Sequence, residues 1–278
     1  MKGKPMVGTR DYLMENEDEI IRLEWKTDPG VFDRQASWCG IRPGMRVLDA
    51  GCGPGLTTSL IRERVMPGGS VVGIDFSPER IEYGRKTYGD IPGIRFELHD
   101  FRNSLRDLGA FDLVWVRFVL EYFRKDSARI VKNLKAVIRP GGWLCLLDLD
   151  YNCLSHYEMP PPLETFLAEI MARMERDHDF DVHAGRKLYA YLYDEGFVDM
   201  EMDLVAHHLI YGEIRDSDAY NWLKKVEVAA SRVPDIFERY PGGYKAFLSD
   251  FKRFFYHPRR FTYTPLILCK GRIPLSGE

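Results

Sequence analysis

Asp49, Gly51, Gly53 and Gly55 stand at alternate positions in VLDAGCGPGL, an acid leading into three glycines directly after a short aliphatic run. Residues without a Cβ let the backbone approach a ligand closely, so a glycine turn after a strand points to a nucleoside-like molecule. The dinucleotide fingerprint is G-x-G-x-x-G, and in that register Leu56 takes the place of the third glycine. An acid two residues before the first glycine also sits badly beside a pyrophosphate, whereas it attracts a ligand that is positively charged at that point. The chemistry implied is recognition of a nucleoside that carries a cation. Further along, Asp75 closes the run SVVGID, where a carboxylate can accept hydrogen bonds from both hydroxyls of a ribose, and Phe76 follows it.

The elements that must hold these residues can be read from the hydrophobic pattern. After Met45, aliphatic runs alternate with amphipathic stretches, the sign of a parallel sheet with helices on both faces. Strands are predicted at 46–51, 70–76, 93–100, 111–118 and 143–150, with helices at 57–65, 78–88 and 127–138, the last closed by RPGG. Ser77 before Pro78 is a good helix start, because its hydroxyl answers an orphan amide. Two more helices, from PPPLETFLAEIMARMERDH and GRKLYAYLYDEGF, and two late strands, 199–211 and 262–269, complete the pattern.

Taken together, these residues resemble class I S-adenosylmethionine-dependent methyltransferases. The resemblance rests on VLDAGCGPG, the acid in VVGIDFS, the acid in FELHDF, the segment FDLVWVRFVLEYF, and LKAVIRPGGWLCLLD, five pieces in family order between Arg46 and about Gly196. It implies a Rossmann-like α/β fold: a seven-stranded sheet of order 3-2-1-4-5-7-6, strand 7 antiparallel, with helices on both faces. It also implies S-adenosylmethionine as cofactor, whose cationic end Asp49 would attract while the backbone of Gly51, Cys52, Gly53 and Gly55 closes on it. Asp100 matches the family acid that takes the adenine amino group, with Phe101 beside it, and Arg117 falls where the family places cofactor or substrate contacts. Ordinary structural alternatives stay open: Asp49 capping the turn, Asp75 as a strand-end acid, Asp100 opening a solvated loop, and Arg117 paired with a helix acid.

Methyl transfer from a sulfonium is an in-line displacement that alignment alone can accelerate greatly, so no dedicated catalytic group is required. Candidates for a base by position near the strand ends are Glu121, Asp148, Asp150, Tyr151 and His156, each of which can equally be a surface acid or a satisfied polar group. The domain is expected to be single: a helical cap over 1–45 that includes Ile20, Leu23 and Trp25, a cofactor core over 46–211, a helical lid over 212–258, and a last strand with its tail over 259–278. The lid region carries ten tyrosine, tryptophan and phenylalanine side chains of the set running from Tyr220 to Tyr256. Most are expected to build its own core, and a minority to face an apolar or aromatic small-molecule acceptor.

A formal net charge of −3 offers no overall basic field for nucleic acid, and the strand-four end reads Val116-Arg117-Phe118-Val119 rather than the N-P-P-Y type tetrapeptide of many nucleic-acid methyltransferases. An RNA methyltransferase and a non-catalytic S-adenosylmethionine-binding protein are the alternatives to a small-molecule enzyme. Five scattered cysteines without a C-x-x-C pair fit a reduced, cytoplasmic setting, and no metal site is expected, His178 and His183 included. No apolar run approaches membrane-span length, so no membrane partner is expected. A homodimer is left open.

Overall fold

Alternation of buried side chains along short aliphatic strands builds a sheet with two apolar faces. The computed structural model describes residues 28–275 and 277, so the expected helix around Ile20, Leu23 and Trp25 lies outside the described residues. Five strands, β1 (Arg46–Ala50), β2 (Ser70–Asp75), β3 (Ile94–Leu98), β4 (Phe111–Arg117) and β5 (Ile138–Leu149), are parallel. A two-residue β6 (His156–Tyr157), β7 (Val198–Tyr211) and β8 (Phe261–Arg272) follow. The order is β3-β2-β1-β4-β5-β8-β6, with β7 also pairing β8, and β8 runs antiparallel to β5, β6 and β7. With β8 and β7 as the family's strands 7 and 6, the order is the expected one and β6 is the addition.

Period-2 alternation sends successive residues to opposite faces. Leu48, Val72, Ile74, Val114, Val116 and Leu146 bury one face beneath α4 (Ser127–Lys135) and α6 (Leu188–Asp194), which contribute Ile130, Leu134, Leu188 and Leu192. Val47, Val71, Leu113, Trp115 and Leu147 bury the other beneath α1 (Pro29–Cys39) and α2 (Leu56–Val65), through Phe32, Ala36, Ile61 and Val65. On β3's side lies α3 (Pro78–Tyr88), whose Ser77 cap accepts from the Arg80 amide at 3.4 Å. The stretch RPGG does not end a helix: α4 stops at Lys135, and Arg139–Gly142 open β5 across a register shift opposite Phe111 and Leu113. The missing amide of Pro140 and the φ of +78° at Gly141 suit an irregular strand start, which explains the difference.

The remaining helices, α5 (Pro161–Asp177), α7 (Asp216–Ser231) and α8 (Gly243–Tyr256), form a separate apolar cluster, against whose Trp222 and Phe251 rings His156 of β6 packs. Trp222, Phe247, Phe251 and Phe255 are fully buried there against Leu163, Leu167, Ile170 and Met174. Among the described residues, no helix is long and apolar enough to cross a membrane.

Candidate active site

The chain leaves β1 toward β2 and later returns to the other side of β1 with β4, so the carboxyl ends of β1 and β4 diverge at a switch point. The glycine turn lies there. Gly51 has φ +83°, Gly53 +55° and Gly55 +105°, left-handed values that favour glycine. A Cβ on Gly51 would stand 2.3 Å from Val119 Cγ2, so the close approach at this glycine is to the loop after β4.

Asp49 is 2 % exposed, and its Oδ2 accepts a hydrogen bond from Thr58 Oγ1 at 2.7 Å. Burial raises its carboxyl to about 7, and the Thr58 hydroxyl and the Arg117 charge only partly counter this. Asp75 is buried as well: Oδ2 accepts from the Gly53 amide and Oδ1 from the Ser77 amide, both at 3.0 Å, and Arg80 stands 3.9 Å away. Each carboxylate oxygen keeps further acceptor capacity. Arg117 is partly exposed, yet its Nε is buried without a hydrogen-bond partner among the described residues, and burial lowers its pKa to about 10 against the pull of Asp49. Its guanidinium lies 4.4 Å from the centre of the Phe118 ring.

These groups converge on one cavity, with about 810 Å³ of empty space, part of it open to solvent. Asp49, Gly51, Cys52, Gly53, Asp75, Phe76, Phe101 and Arg117 line it, as do Arg80, Trp115, Phe118, Tyr122 and Phe123, which the sequence reading did not single out. Trp115 Nε1 is a second buried donor without a partner. Gly55 begins α2 beneath the turn and is not in the lining. Asp100 is also outside it. Arg102 grips Asp100 with bonds of 2.8 Å to each oxygen, and these more than offset burial to leave the acid below its ordinary pKa. The corner expected to hold Asp100 is walled by Phe76, Phe101 and Phe123, the last two 5.2 Å apart edge to face.

The candidate bases are dispersed, and none lines the cavity. Glu121 is buried and accepts from Asn152 Nδ2 at 2.7 Å, and Asn152 in turn accepts from Lys225 at 3.0 Å. Asp148 accepts the amides of Val119, Leu120 and Glu121 at 3.2, 2.7 and 3.3 Å, so it fixes the loop that carries Phe118 and Tyr122. Burial, together with the nearby Glu121 charge, holds the Asp148 carboxyl well above its usual range. Asp150 is paired with Arg186 at 2.8 Å. Tyr151 is exposed, with φ +53°, beside the His183 ring. His156 bonds Thr262 at 2.8 Å inside a cage of Trp222, Phe251, Phe254 and Phe255, where burial lowers its pKa to about 4. The insertion's aromatics, expected in part to face the cavity, are absent from its lining, because α5, α7 and α8 need them as a common core. Among the described residues, no group of three His, Cys, Asp or Glu is placed to hold a metal.

Residues 47–142 match the methyltransferase-domain family model. That stretch, about a third of the chain, is similar to the methyltransferase domains of S-adenosylmethionine-dependent enzymes. Among curated relatives, this chain is 34 % identical over 114 residues to an uncharacterized 37.1 kDa protein of a Streptomyces fradiae transposon, covering 41 % of this chain and 33 % of that one. It is 30 % identical over 109 residues to a Staphylococcus aureus demethylmenaquinone methyltransferase, covering 39 % and 45 %. The matches thus span a third to under a half of the relatives' length. In fold it is similar to Haemonchus contortus phosphoethanolamine N-methyltransferase 2, with a TM-score of 0.58, 14 % identity, and coverage of 93 % of this chain and 57 % of that one. The cyclase SpnF shares the fold at a TM-score of 0.54 and 18 % identity, covering 89 % and 82 %.

Proposed function

We propose that this chain is a methyltransferase that carries a methyl group from S-adenosylmethionine to a small-molecule acceptor that is apolar or aromatic. The observation that carries the reading is one cavity whose lining combines Asp49, Asp75 and Arg117, the last with a buried, unbonded Nε, with the rings of Phe118, Tyr122 and Phe123. Asp49 answers the ammonium of the cofactor, the unpartnered Nε of Arg117 answers its carboxylate, and Asp75 accepts the ribose hydroxyls. Bound there, the cofactor supplies an electrophilic methyl on a sulfonium. The aromatic side of the cavity excludes water and orients an acceptor along the line of displacement, and aromatic faces also favour a neighbouring cation. Asp148 holds that wall by anchoring three successive amides of its loop.

A non-catalytic or differently catalytic role is the second reading, favoured by two observations: no candidate base lines the cavity, and a protein named as a cyclase has this fold. The two readings part in one experiment. The purified chain is given radiolabelled S-adenosylmethionine with phenol, quinol and aryl-amine acceptors, and separately with RNA. Label in a small-molecule product supports the proposal. Label in RNA refutes it, as does binding of the cofactor with no turnover of any acceptor.

A further inference from the structure

The helical part of the chain contains a second cavity, which shares no lining residue with the first and has about 1040 Å³ of empty space on the same measure. Tyr157, Pro162, Leu163 and Phe254 give it an apolar wall. Its charged wall is unbalanced. Arg259 pairs with Glu158, and Arg253 stands 3.2 Å from Asp250, which also accepts the Tyr240 hydroxyl at 2.9 Å. Among the described residues, both acids of the lining are thereby taken, and Arg260 is left as the surplus cation.

Arg260 is 2 % exposed. Its Nε donates to the Phe255 carbonyl at 2.8 Å and its Nη2 to the Gly212 carbonyl at 3.3 Å, but its Nη1 is buried without a partner. Glu213 and Asp218 are its electrostatic neighbours from the adjacent segment; neither forms an ion pair with it, and Asp218 is held by Arg215 at 2.8 Å. A guanidinium cannot shed its proton to escape burial, and a buried charge without a counter-charge is costly. Two carbonyls orient the fork, and the third arm has nothing to bond. We infer that this cavity is a binding site for a small organic anion, with a carboxylate or phosphate-ester group on Arg260 and an apolar or aromatic body against Phe254, Leu163 and Tyr157. The site is distinct from the methyl-transfer cavity, and it stands whether or not the chain methylates a small molecule.

The test titrates the full chain by calorimetry with phenyl phosphate, benzoate, inorganic phosphate and phenol, each with and without saturating S-adenosylhomocysteine. One or both aromatic anions should bind at a single site, at least about tenfold tighter than phenol or inorganic phosphate and unaffected by S-adenosylhomocysteine. Which anion binds more tightly decides between carboxylate and phosphate ester. Arg260→Gln should weaken that binding at least about tenfold while leaving S-adenosylhomocysteine affinity within about twofold. Should that variant fail to fold, Arg259→Gln serves instead. Its side chain is 67 % exposed, and its loss frees the Glu158 carboxylate to repel the anion, so affinity should drop about tenfold at an unchanged melting temperature. The inference is overturned if neither aromatic anion binds, if phenol binds equally well, if S-adenosylhomocysteine displaces the anion, or if the folded variants bind as the parent does.

Discussion

Acidification should weaken cofactor binding through Asp49 alone, and the size of the effect follows from its surroundings. In the unliganded chain burial holds this carboxyl at about 7, so near neutrality it is half protonated, whereas an ammonium group requires the carboxylate. The ionised fraction falls from about nine-tenths at pH 8 to about one-tenth at pH 6, so affinity should fall about tenfold, or about 1.4 kcal/mol. Arg117, with a pKa of about 10, keeps its charge throughout this window, and no histidine lines the cavity. Stability of the unliganded chain should move the opposite way. The folded pKa of Asp49 is raised above its unfolded value near 4, so its contribution is fully present below about pH 4 and is lost as pH rises through about 7. Calorimetry with S-adenosylhomocysteine from pH 6 to 8 reads the first effect, and at pH 7 about half a proton should be released per ligand bound, seen as a dependence on buffer ionisation enthalpy. Asp49→Asn should bind more weakly and without the slope. A flat profile for the parent chain, or the same slope in Asp49→Asn, would refute the reasoning.

Three further outcomes are expected. Asp75→Ala strips an acceptor from the Gly53 and Ser77 amides as well as from the ligand, so S-adenosylhomocysteine affinity should drop by about 1.5–3 kcal/mol in calorimetry. Gly51→Ala puts a Cβ 2.3 Å from Val119 Cγ2 at a φ of +83°, and should lower stability by about 1–3 kcal/mol in urea unfolding. Trp222→Ala empties the centre of the helical cluster and should cost about 3–5 kcal/mol in stability, with S-adenosylhomocysteine affinity kept within about twofold.

Asp49 and Asp75 were legible because each ends a strand beside a feature with a fixed geometric meaning, the glycine turn in one case and a Ser-Pro helix start in the other. Thr58 and Arg80 were within reach of the same logic: each sits in the first turn of the helix that follows its strand, and that turn faces the strand ends. Trp115 and Tyr122 were not, since nothing local distinguishes an aromatic that lines a cavity from one in the core. Asp100 was assigned by its place in the motif, but the pull of Arg102, only two residues on, wins in the unliganded chain. Asp148 was picked as an acid near a strand end, and its actual partners, three amides across the sheet, depend on the β4–β5 pairing that no local pattern reveals. The surplus of aromatics after Gly212 suggested a substrate wall. A segment held by three packed helices spends them on its own interior first, and that demand cannot be separated from ligand contact by composition.

Strand β8 pairs β5 on one side and β7 on the other, and its first residues also pair β6, while among the described residues β7 has no other strand to lean on. During synthesis, β1 to β5 emerge before the later strands and pair among themselves, so the half that holds Asp49, Asp75 and Arg117 can gather first. β7 must wait, unpaired, until the whole of α7 and α8 has been made and β8 arrives. For that interval the amides and carbonyls of β7 that β8 will take are an open edge, and Met202, Leu204, Val205 and Leu209, which stay exposed in the finished fold as well, make it an apolar one on which nascent chains can associate wrongly. The order in which the ribosome delivers this chain thus makes its last strand the step that both joins the helical cluster to the sheet and ends the period of greatest risk of aggregation.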